Sequence, residues 1–395
     1  MSRRPLARVV RFGARHLLLL NVVLCAAVWI PYGSLRLYGN GPEYWQRTQD
    51  VWLTGANAAV FDVKPGLENV LLPGLATILR HGVEAAGLRF SAGMFVAITI
   101  VPYVAFIYGL SVVLARRREY GPVLAVATPV MLYTSGLVPY MTNWGGYVDG
   151  MTYLLLLPLV VWPRSLPVYL LTVVLQCLNH YLGVVAIMMW TVVWYGWDML
   201  EHASRKESLR QVRAWLAPVA SRVAIGVIVL LGFHLAWRAA YPEGAAVRAA
   251  IVAAKWTSPA ALVDEVFGPF PMTIASTFKL GLVPLAGLVV LARDRRVMRA
   301  VLVAAPFVLG SVLTLLFVDV TRVLTIVAMP AVFLLLHALR KDATGTASSR
   351  RRLRNVFLVS AILNLVVPNF YVNNGQVLVP RSTWVSDLQR VFTPD

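Results

Sequence analysis

Cysteine is scarce in this chain, which contains only Cys25 and Cys177, both inside apolar runs. Two isolated thiols in such surroundings form neither a disulfide framework nor a paired-cysteine metal motif, so we expect them to pack as small hydrophobic side chains. The sequence also lacks a P-loop, a Gly-x-Ser-x-Gly nucleophile elbow and a His-Glu-x-x-His zinc motif. The enzyme classes defined by those motifs are therefore excluded.

Charged residues are scarce as well. They make up 14% of the 395 residues, whereas 58% are hydrophobic, and the mean hydropathy is +0.69. A soluble domain usually has about 25% charged residues. The apolar runs have roughly the 17 to 25 residues that cross a bilayer as a helix, without the alternation of barrel strands. We therefore predict an all-α integral membrane protein with about 10–11 transmembrane helices, in a single transmembrane domain over residues 1–395.

The net charge of +18 comes from basic clusters between the apolar runs. Because cytoplasmic loops are enriched in Lys and Arg, these clusters predict a multi-pass protein of the inner (plasma) membrane and no nucleic-acid partner. The prediction places residues 1–15 as a cytoplasmic tail and 340–354 as a cytoplasmic linker. It places 35–90 as an extracytoplasmic loop with amphipathic helices and 372–395 as an extracytoplasmic tail.

Two regions depart from simple spans. Residues 68–88 are apolar but contain Arg80, His81 and Glu84, which predicts an interfacial or re-entrant helix. The run at 166–197 has basic residues on both sides and therefore crosses an even number of times. We predict two short helices that meet near Asn179 and His180.

This topology brings five polar segments to the outer face, where they form the predicted site. They are the loop from Arg36 to Arg89, the stretch from Pro139 to Thr152, the pair Asn179 and His180, the segment from Asp319 to Arg322, and the tail after Phe370. Glu43, Asp50 and Asp149 are the candidate catalytic carboxylates, which would take the proton from an acceptor hydroxyl. Cationic, amide and aromatic side chains would hold a phosphate or a sugar. These candidates are Lys64, Asn143, Trp144, Tyr147, Asn179, His180, Asp319 and Arg322.

The acidic candidates also have structural interpretations. Glu43, Arg47 and Asp50 have the spacing of a solvated helix face with ordinary ion pairs. Asp149 lies at a helix entrance, where it would act as an N-cap. The aromatic residues Trp144 and Tyr147 would also suit the interfacial belt of any membrane protein.

The remaining candidates have structural interpretations too. Asn179 and His180 would make an interhelical hydrogen bond that fixes two short helices. Asp319 and Arg322 are three residues apart at a helix start, so they would pair with each other while Asp319 caps the helix. Arg322 could instead offer its guanidinium fork to a phosphate.

The order of residues in the first loop resembles that of the GT-C glycosyltransferases. Glu43-Tyr44 is followed by Leu53-Thr54-Gly55 and then by Lys64-Pro65-Gly66. The resemblance covers residues 1–115 and lacks the adjacent acidic pair that is commonest in that superfamily. It implies that Glu43 is the catalytic acid and that the sugar donor is a polyprenyl-phosphate sugar. The segment from Asp319 to Arg322 is similar to motifs of EpsG- and Wzy-type polysaccharide polymerases.

The resulting hypothesis is a membrane glycosyltransferase of cell-envelope polysaccharide biosynthesis. It would move a sugar from a polyprenyl-phosphate carrier to a lipid- or glycan-linked acceptor on the extracytoplasmic face, with a divalent metal ion left open. One alternative is a polymerase of the Wzy or EpsG type. Another, from a different class, is a transporter or flippase of lipid-linked glycans, since polar groups between spans also mark transport pathways.

Overall fold

The computed structural model describes most of the chain. The described residues are 12–38, 41–49, 70–117, 120, 122–135, 137–143, 145–202, 208–240, 297–314, 320–339, 347–366, 371–373, 376–378, 383, 386–387 and isolated positions between 242 and 291. This part of the chain is almost entirely helical, with one short antiparallel strand pair. The predicted all-α class is therefore confirmed for the described residues.

The elements are numbered in chain order. The helices are α1 Leu17–Tyr32, α2 Gly41–Gln49, α3 Leu71–Ala85, α4 Ala92–Arg116, α5 Pro122–Tyr133, α6 Val138–Thr142, α7 Asp149–Val161, α8 Leu166–Asn179, α9 Tyr181–His202, α10 Ser208–Ala240, α11 Val297–Thr314, α12 Val320–Ala338 and α13 Ala347–Val366. The strands are β1 Tyr371–Asn373 and β2 Gln376–Leu378, paired with Tyr371 opposite Leu378.

Three helical stretches in the described residues are long and apolar enough to cross a membrane. They are Ala92–Arg116, Tyr181–Glu201 and Trp215–Ala240. A helix of about 20 residues spans the hydrocarbon layer, since each residue adds about 1.5 Å. These stretches support membrane association.

Helix α12 lies at the centre of the packing. It contacts α9 and α11 extensively, and every residue from 322 to 336 is buried. A helix that is apolar on all sides is expected in such a position. Phe333 of α12 packs against Phe106 of α4 and Trp190 of α9, so α12 connects these two helices.

The predicted break near Asn179 and His180 is present. Helix α8 ends at Asn179, His180 has an extended backbone, and α9 begins at Tyr181. Helix α9 then runs back to the end of the bundle where α8 begins. This direction is shown by Arg164, just before α8, which binds Asp198 late in α9 at 2.9 Å. The prediction of two short helices is wrong for the second one, since α9 has 22 residues.

The structure differs from the prediction in the linker at 340–354, and it describes only part of the loop at 35–90. Residues 347–354, predicted to belong to a linker, are the first turns of α13. The amphipathic helix of the first loop is observed only as α2, since residues 50–69 lie outside the described part. Helix α3 forms within the predicted stretch 68–88 and packs against α2.

Candidate functional site

The loop after α1 crosses the segment between α6 and α7 at very close range. The amide of Tyr38 donates to the carbonyl of Gly145 at 3.1 Å, and Leu37 and Gly145 form a parallel bridge. A side chain at Gly145 would collide with the backbone carbonyl of Arg36. Gly146 has φ +91°, a conformation that favours glycine. The two glycines therefore allow the two predicted polar segments to meet.

Asp149 and Arg322 form a buried ion pair at this end of the bundle. Nε of Arg322 donates to Oδ2 of Asp149 at 2.6 Å, and Nη2 donates to Oδ1 at 2.9 Å. Asp149 is 1% exposed and Arg322 is 8% exposed. Each residue lies in the first turn of its helix, α7 and α12, so the pair joins the starts of these two helices.

The structure corrects one interpretation from the sequence and leaves another untested. The N-cap residue of α7 is Val148, and no side chain caps that end, so Asp149 is not the N-cap. The guanidinium fork of Arg322 binds Asp149, and the pairing of Arg322 with Asp319 stays a prediction. Asp319 itself lies outside the described residues.

His180 is held against the same arginine. Its Nε2 lies 2.9 Å from Nη2 of Arg322, and its Nδ1 lies 3.2 Å from the amide nitrogen of Leu182. Both neighbours are donors, and an imidazolium has two donors and no acceptor. A neutral imidazole has one acceptor nitrogen, so the ring could accept a hydrogen bond from only one of these two neighbours.

Two amide side chains of α8 tie that helix to the first turns of α7. Asn179 donates through Nδ2 to Oγ1 of Thr152 at 2.8 Å and to the carbonyl of Val148 at 3.3 Å. Gln176 donates through Nε2 to the carbonyl of Thr152 at 2.8 Å. Asn179 thus makes the interhelical contact that its structural interpretation predicted.

Gln176 was missed by sequence reasoning. It precedes Asn179 by three residues, which places both amides on one side of α8. A glutamine inside an apolar run is the signal that could have identified it. Both amides act on the backbone and hydroxyl that flank Asp149, so they position the first turn of α7.

Aromatic rings cover the ion pair. The guanidinium of Arg322 lies over the ring of Tyr147, 4.9 Å from its centroid. Tyr44 of α2 meets Tyr147 edge-on, with ring centroids 5.9 Å apart. Glu43 precedes Tyr44 in the first turn of α2 and is half-buried. Helix α2 therefore places its acid next to the aromatic cover of the pair.

Helix α2 does not present the solvated face that its charge spacing suggested. Arg47 is only 2% exposed, and its guanidinium lies 5.9 Å from the centroid of the Tyr44 ring. Arg80 of α3 donates to the carbonyls of Thr48 and Gln49 at the end of α2. Helix α3 thus packs against the C-terminal end of α2, and Arg47 is buried.

The other predicted residues have different positions. Asn143 donates through Nδ2 to the carbonyl of Tyr32 at 2.9 Å and to Oγ1 of Thr142 at 3.0 Å, so it closes the end of α1. Four predicted site residues lie outside the described part of the chain, and they are Asp50, Lys64, Trp144 and Asp319.

The described residues do not fit a divalent metal ion at this site. Within the described ranges, no group of three His, Cys, Asp or Glu residues lies close enough to hold one. Both carboxylate oxygens of Asp149 accept hydrogen bonds from Arg322. A hard cation would need several oxygen ligands.

The C-terminal tail is fastened to the loop after α1. Asp387 accepts hydrogen bonds from Nε of Arg36 at 2.6 Å, from the hydroxyl of Thr383 at 2.7 Å and from the amide of Leu35 at 3.1 Å. Burial by itself raises the pKa of Asp387, but these hydrogen bonds together lower the pKa by more than burial raises it. The pKa of Asp387 therefore lies below its ordinary value.

No family model, curated protein or solved structure matches this chain.

Proposed function

We propose that this protein is an integral-membrane glycosyltransferase that acts at the end of the bundle where Asp149 and Arg322 pair. It would transfer a sugar from a polyprenyl-phosphate carrier to a lipid- or glycan-linked acceptor, in cell-envelope polysaccharide biosynthesis. The observation that supports this most is the placement of Arg322. This buried guanidinium is held by Asp149 and His180 beneath Tyr147, beside the helix that carries Glu43.

The chemistry needs a group that stabilises negative charge on the departing phosphate. Arginine suits this role because its planar fork stays charged and donates several hydrogen bonds. A fixed cation in a site of low polarity stabilises developing charge without reorganisation during the reaction. In the proposal Arg322 has this role, and Asp149 and His180 hold its guanidinium in place.

The chemistry also needs a carboxylate that accepts the proton of the acceptor hydroxyl. Asp149 is poorly suited, because both its oxygens accept hydrogen bonds from one guanidinium. Glu43 is better suited in the proposal, since it is half-buried in the first turn of α2. Tyr44 and Tyr147 pack against each other beside Arg322 and would form the aromatic wall of this site.

The proposal includes an orientation in the inner (plasma) membrane with about 10–11 spans. The N-terminus would be cytoplasmic, and the site and the C-terminal tail would share the extracytoplasmic side. Contacts of the tail support a shared side, because the amide of Thr383 donates to the carbonyl of Gly33 at 3.0 Å. The end that carries Arg164 would face the cytoplasm, as basic loops do.

The test is a mass profile of lipid-linked and surface glycans in cells that lack this protein. The cells are complemented with the wild type, Glu43→Gln, Arg322→Lys or the control Glu84→Gln. Glu84 is an exposed acid of α3 that pairs with Arg80 on its own helix. We expect a glycan short by one sugar in the deletion strain, restored by the wild type and by Glu84→Gln but not by the two site variants.

Other outcomes would reject the proposal in favour of a named alternative. Accumulation of single repeat units would indicate a polymerase of the Wzy or EpsG type. An unchanged set of glycan lengths, with lipid-linked precursors retained on the inner leaflet, would indicate a transporter or flippase.

A further inference from the structure

A second buried arginine lies at the opposite end of the bundle. Arg222 of α10 is 8% exposed, and its guanidinium donates to two backbone carbonyls, those of Arg164 at 2.8 Å and Pro218 at 3.4 Å. Its Nε is buried and has no hydrogen-bond acceptor. Because buried donors are nearly always paired, this nitrogen indicates a missing partner.

The charge of Arg222 is also uncompensated within the described part of the chain. Among the residues that the structure describes, no carboxylate lies within ion-pair distance of it, whereas Arg322 is paired with Asp149. A buried cation without a counter-ion is costly, since it loses hydration and gains little in return. Two carbonyl dipoles and one aromatic ring offset only part of that cost. An anion would supply the rest.

The surroundings of Arg222 are suited to an anion. Its guanidinium lies 5.1 Å from the centroid of the Tyr195 ring, and the Tyr195 ring is in edge contact with Trp194. Arg164, whose side chain is 68% exposed, lies over the Trp194 ring and pairs with Asp198. This group therefore contains two guanidinium groups and one carboxylate, which leaves an excess of one positive charge.

We propose that Arg222 and Arg164 form a binding site for a phosphate group at the end of the bundle opposite the Asp149–Arg322 pair. Phosphate matches the donors, because its oxygens accept charge-assisted hydrogen bonds from guanidinium groups. The exposed Arg164 would attract the anion first, and a small shift of Arg222 would bring its unpaired Nε to a phosphate oxygen.

The same chemistry could come from a phospholipid headgroup or from free phosphate. Two features favour the headgroup. Basic pockets between transmembrane helices bind anionic headgroups. In addition, α10 has exposed apolar side chains on its outer side, including Leu216, Val227 and Ile228, which would contact the acyl chains.

The experiment uses the full-length protein in detergent micelles. Native mass spectrometry measures the binding of phosphatidylglycerol, which has a net negative phosphodiester, and of phosphatidylcholine, which is zwitterionic. A second arm follows thermal unfolding while inorganic phosphate is added. Wild-type protein is expected to bind phosphatidylglycerol at least about tenfold more tightly than phosphatidylcholine, which corresponds to about 1.4 kcal/mol.

Three variants make the test specific. Arg222→Gln is expected to abolish the preference for phosphatidylglycerol. Arg213→Gln removes the same charge from an exposed position of the same helix and is expected to keep the preference. Arg164→Gln, at a position where the side chain is 68% exposed, is expected to reduce it. This last variant decides the question if Arg222→Gln does not fold.

Two results would overturn the proposal. The first is a folded Arg222→Gln protein that keeps the full preference. The second is wild-type protein that neither prefers phosphatidylglycerol nor is stabilised by inorganic phosphate, in which case water satisfies the arginine. Stabilisation by inorganic phosphate alone, lost in Arg222→Gln, would support the phosphate site and identify a soluble ligand.

Discussion

Arg322 binds both carboxylate oxygens of Asp149 across 173 positions of the chain, at 2.6 and 2.9 Å. The two side chains extend from the first turns of α7 and α12 and are almost completely buried. Each charge is therefore compensated by the other. The pair therefore links α7 to α12 and lies at the centre of the proposed site.

Breaking this pair from one side is expected to destabilise the protein strongly. Asp149→Asn leaves the buried guanidinium without its counter-ion, and Arg322→Met leaves the buried carboxylate, each at a cost of about 3–5 kcal/mol. The double variant should cost less than the two single variants together, because no isolated charge remains. Unfolding free energies in mixed micelles would measure the three changes.

The control for that cycle is Glu84→Gln, which removes an exposed partner of Arg80. Because exposed ion pairs contribute little, this change should cost less than about 0.5 kcal/mol. Purely additive effects of Asp149→Asn and Arg322→Met would contradict the pairing.

Asn179→Ala is expected to reduce both stability and glycan transfer. The change removes two hydrogen bonds that hold the first turns of α7, and it leaves the Val148 carbonyl without that donor. The expected cost is about 1–3 kcal/mol. Thr152→Val removes only the hydroxyl acceptor and should cost less. Equal activity per folded molecule in Asn179→Ala and wild type would show that Asn179 has no positioning role.

Gly150→Ala is expected to push α4 and α7 apart. A methyl group at this position would lie 2.6 Å from Cδ2 of Tyr103 and 3.0 Å from the carbonyl oxygen of Thr99. Overpacking of this kind costs about 1–3 kcal/mol, and it would displace the neighbouring Asp149. Thermal unfolding of the purified protein would show the loss.

A matched glycine on α3 provides the control for Gly150→Ala. Gly82 lies within a helix and has no atom within 4 Å of the added methyl group. Gly82→Ala should therefore be neutral or stabilise by up to about 1 kcal/mol, because alanine is the better helix former. A similar loss for both changes would mean that the Tyr103 contact is not the cause.

Acidification is expected to release the C-terminal tail. The folded-state pKa of Asp387 lies below the unfolded value of about 3.9. The stabilisation that ionised Asp387 gives to the folded state is therefore complete at pH values above the unfolded-state pKa. It is lost as the pH falls through the folded-state pKa. Hydrogen exchange of the tail should rise below about pH 4.

Two variants test the assignment to Asp387. Asp387→Asn should give fast exchange in the tail at all pH values, since the amide cannot replace the charged acceptor for Arg36. Ser386→Ala changes the exposed neighbour, whose hydroxyl donates to the carbonyl of Thr383, and should keep the wild-type pH profile. A pH-independent tail in wild-type protein would reject the assignment.

Charge between apolar runs correctly predicted the break at His180, because an even number of crossings requires a turn within 166–197. The position of the charges could not give the length of α9, which continues to His202. Local spacing also misjudged Arg47. Arg47 is buried by tertiary packing, which the spacing of charges along one helix does not specify.

The sequence by itself determined that the chain is helical and apolar, that it turns at His180, and that its polar segments belong together. These properties follow from hydropathy and charge, and both can be assigned from the order of residues along the chain. Only the tertiary structure decided that Arg322 pairs with Asp149, that Gln176 supports the site and that Arg222 has no counter-ion among the described residues. The partner of a buried charge depends on which helices pack together, and neighbouring positions in the sequence do not specify that packing.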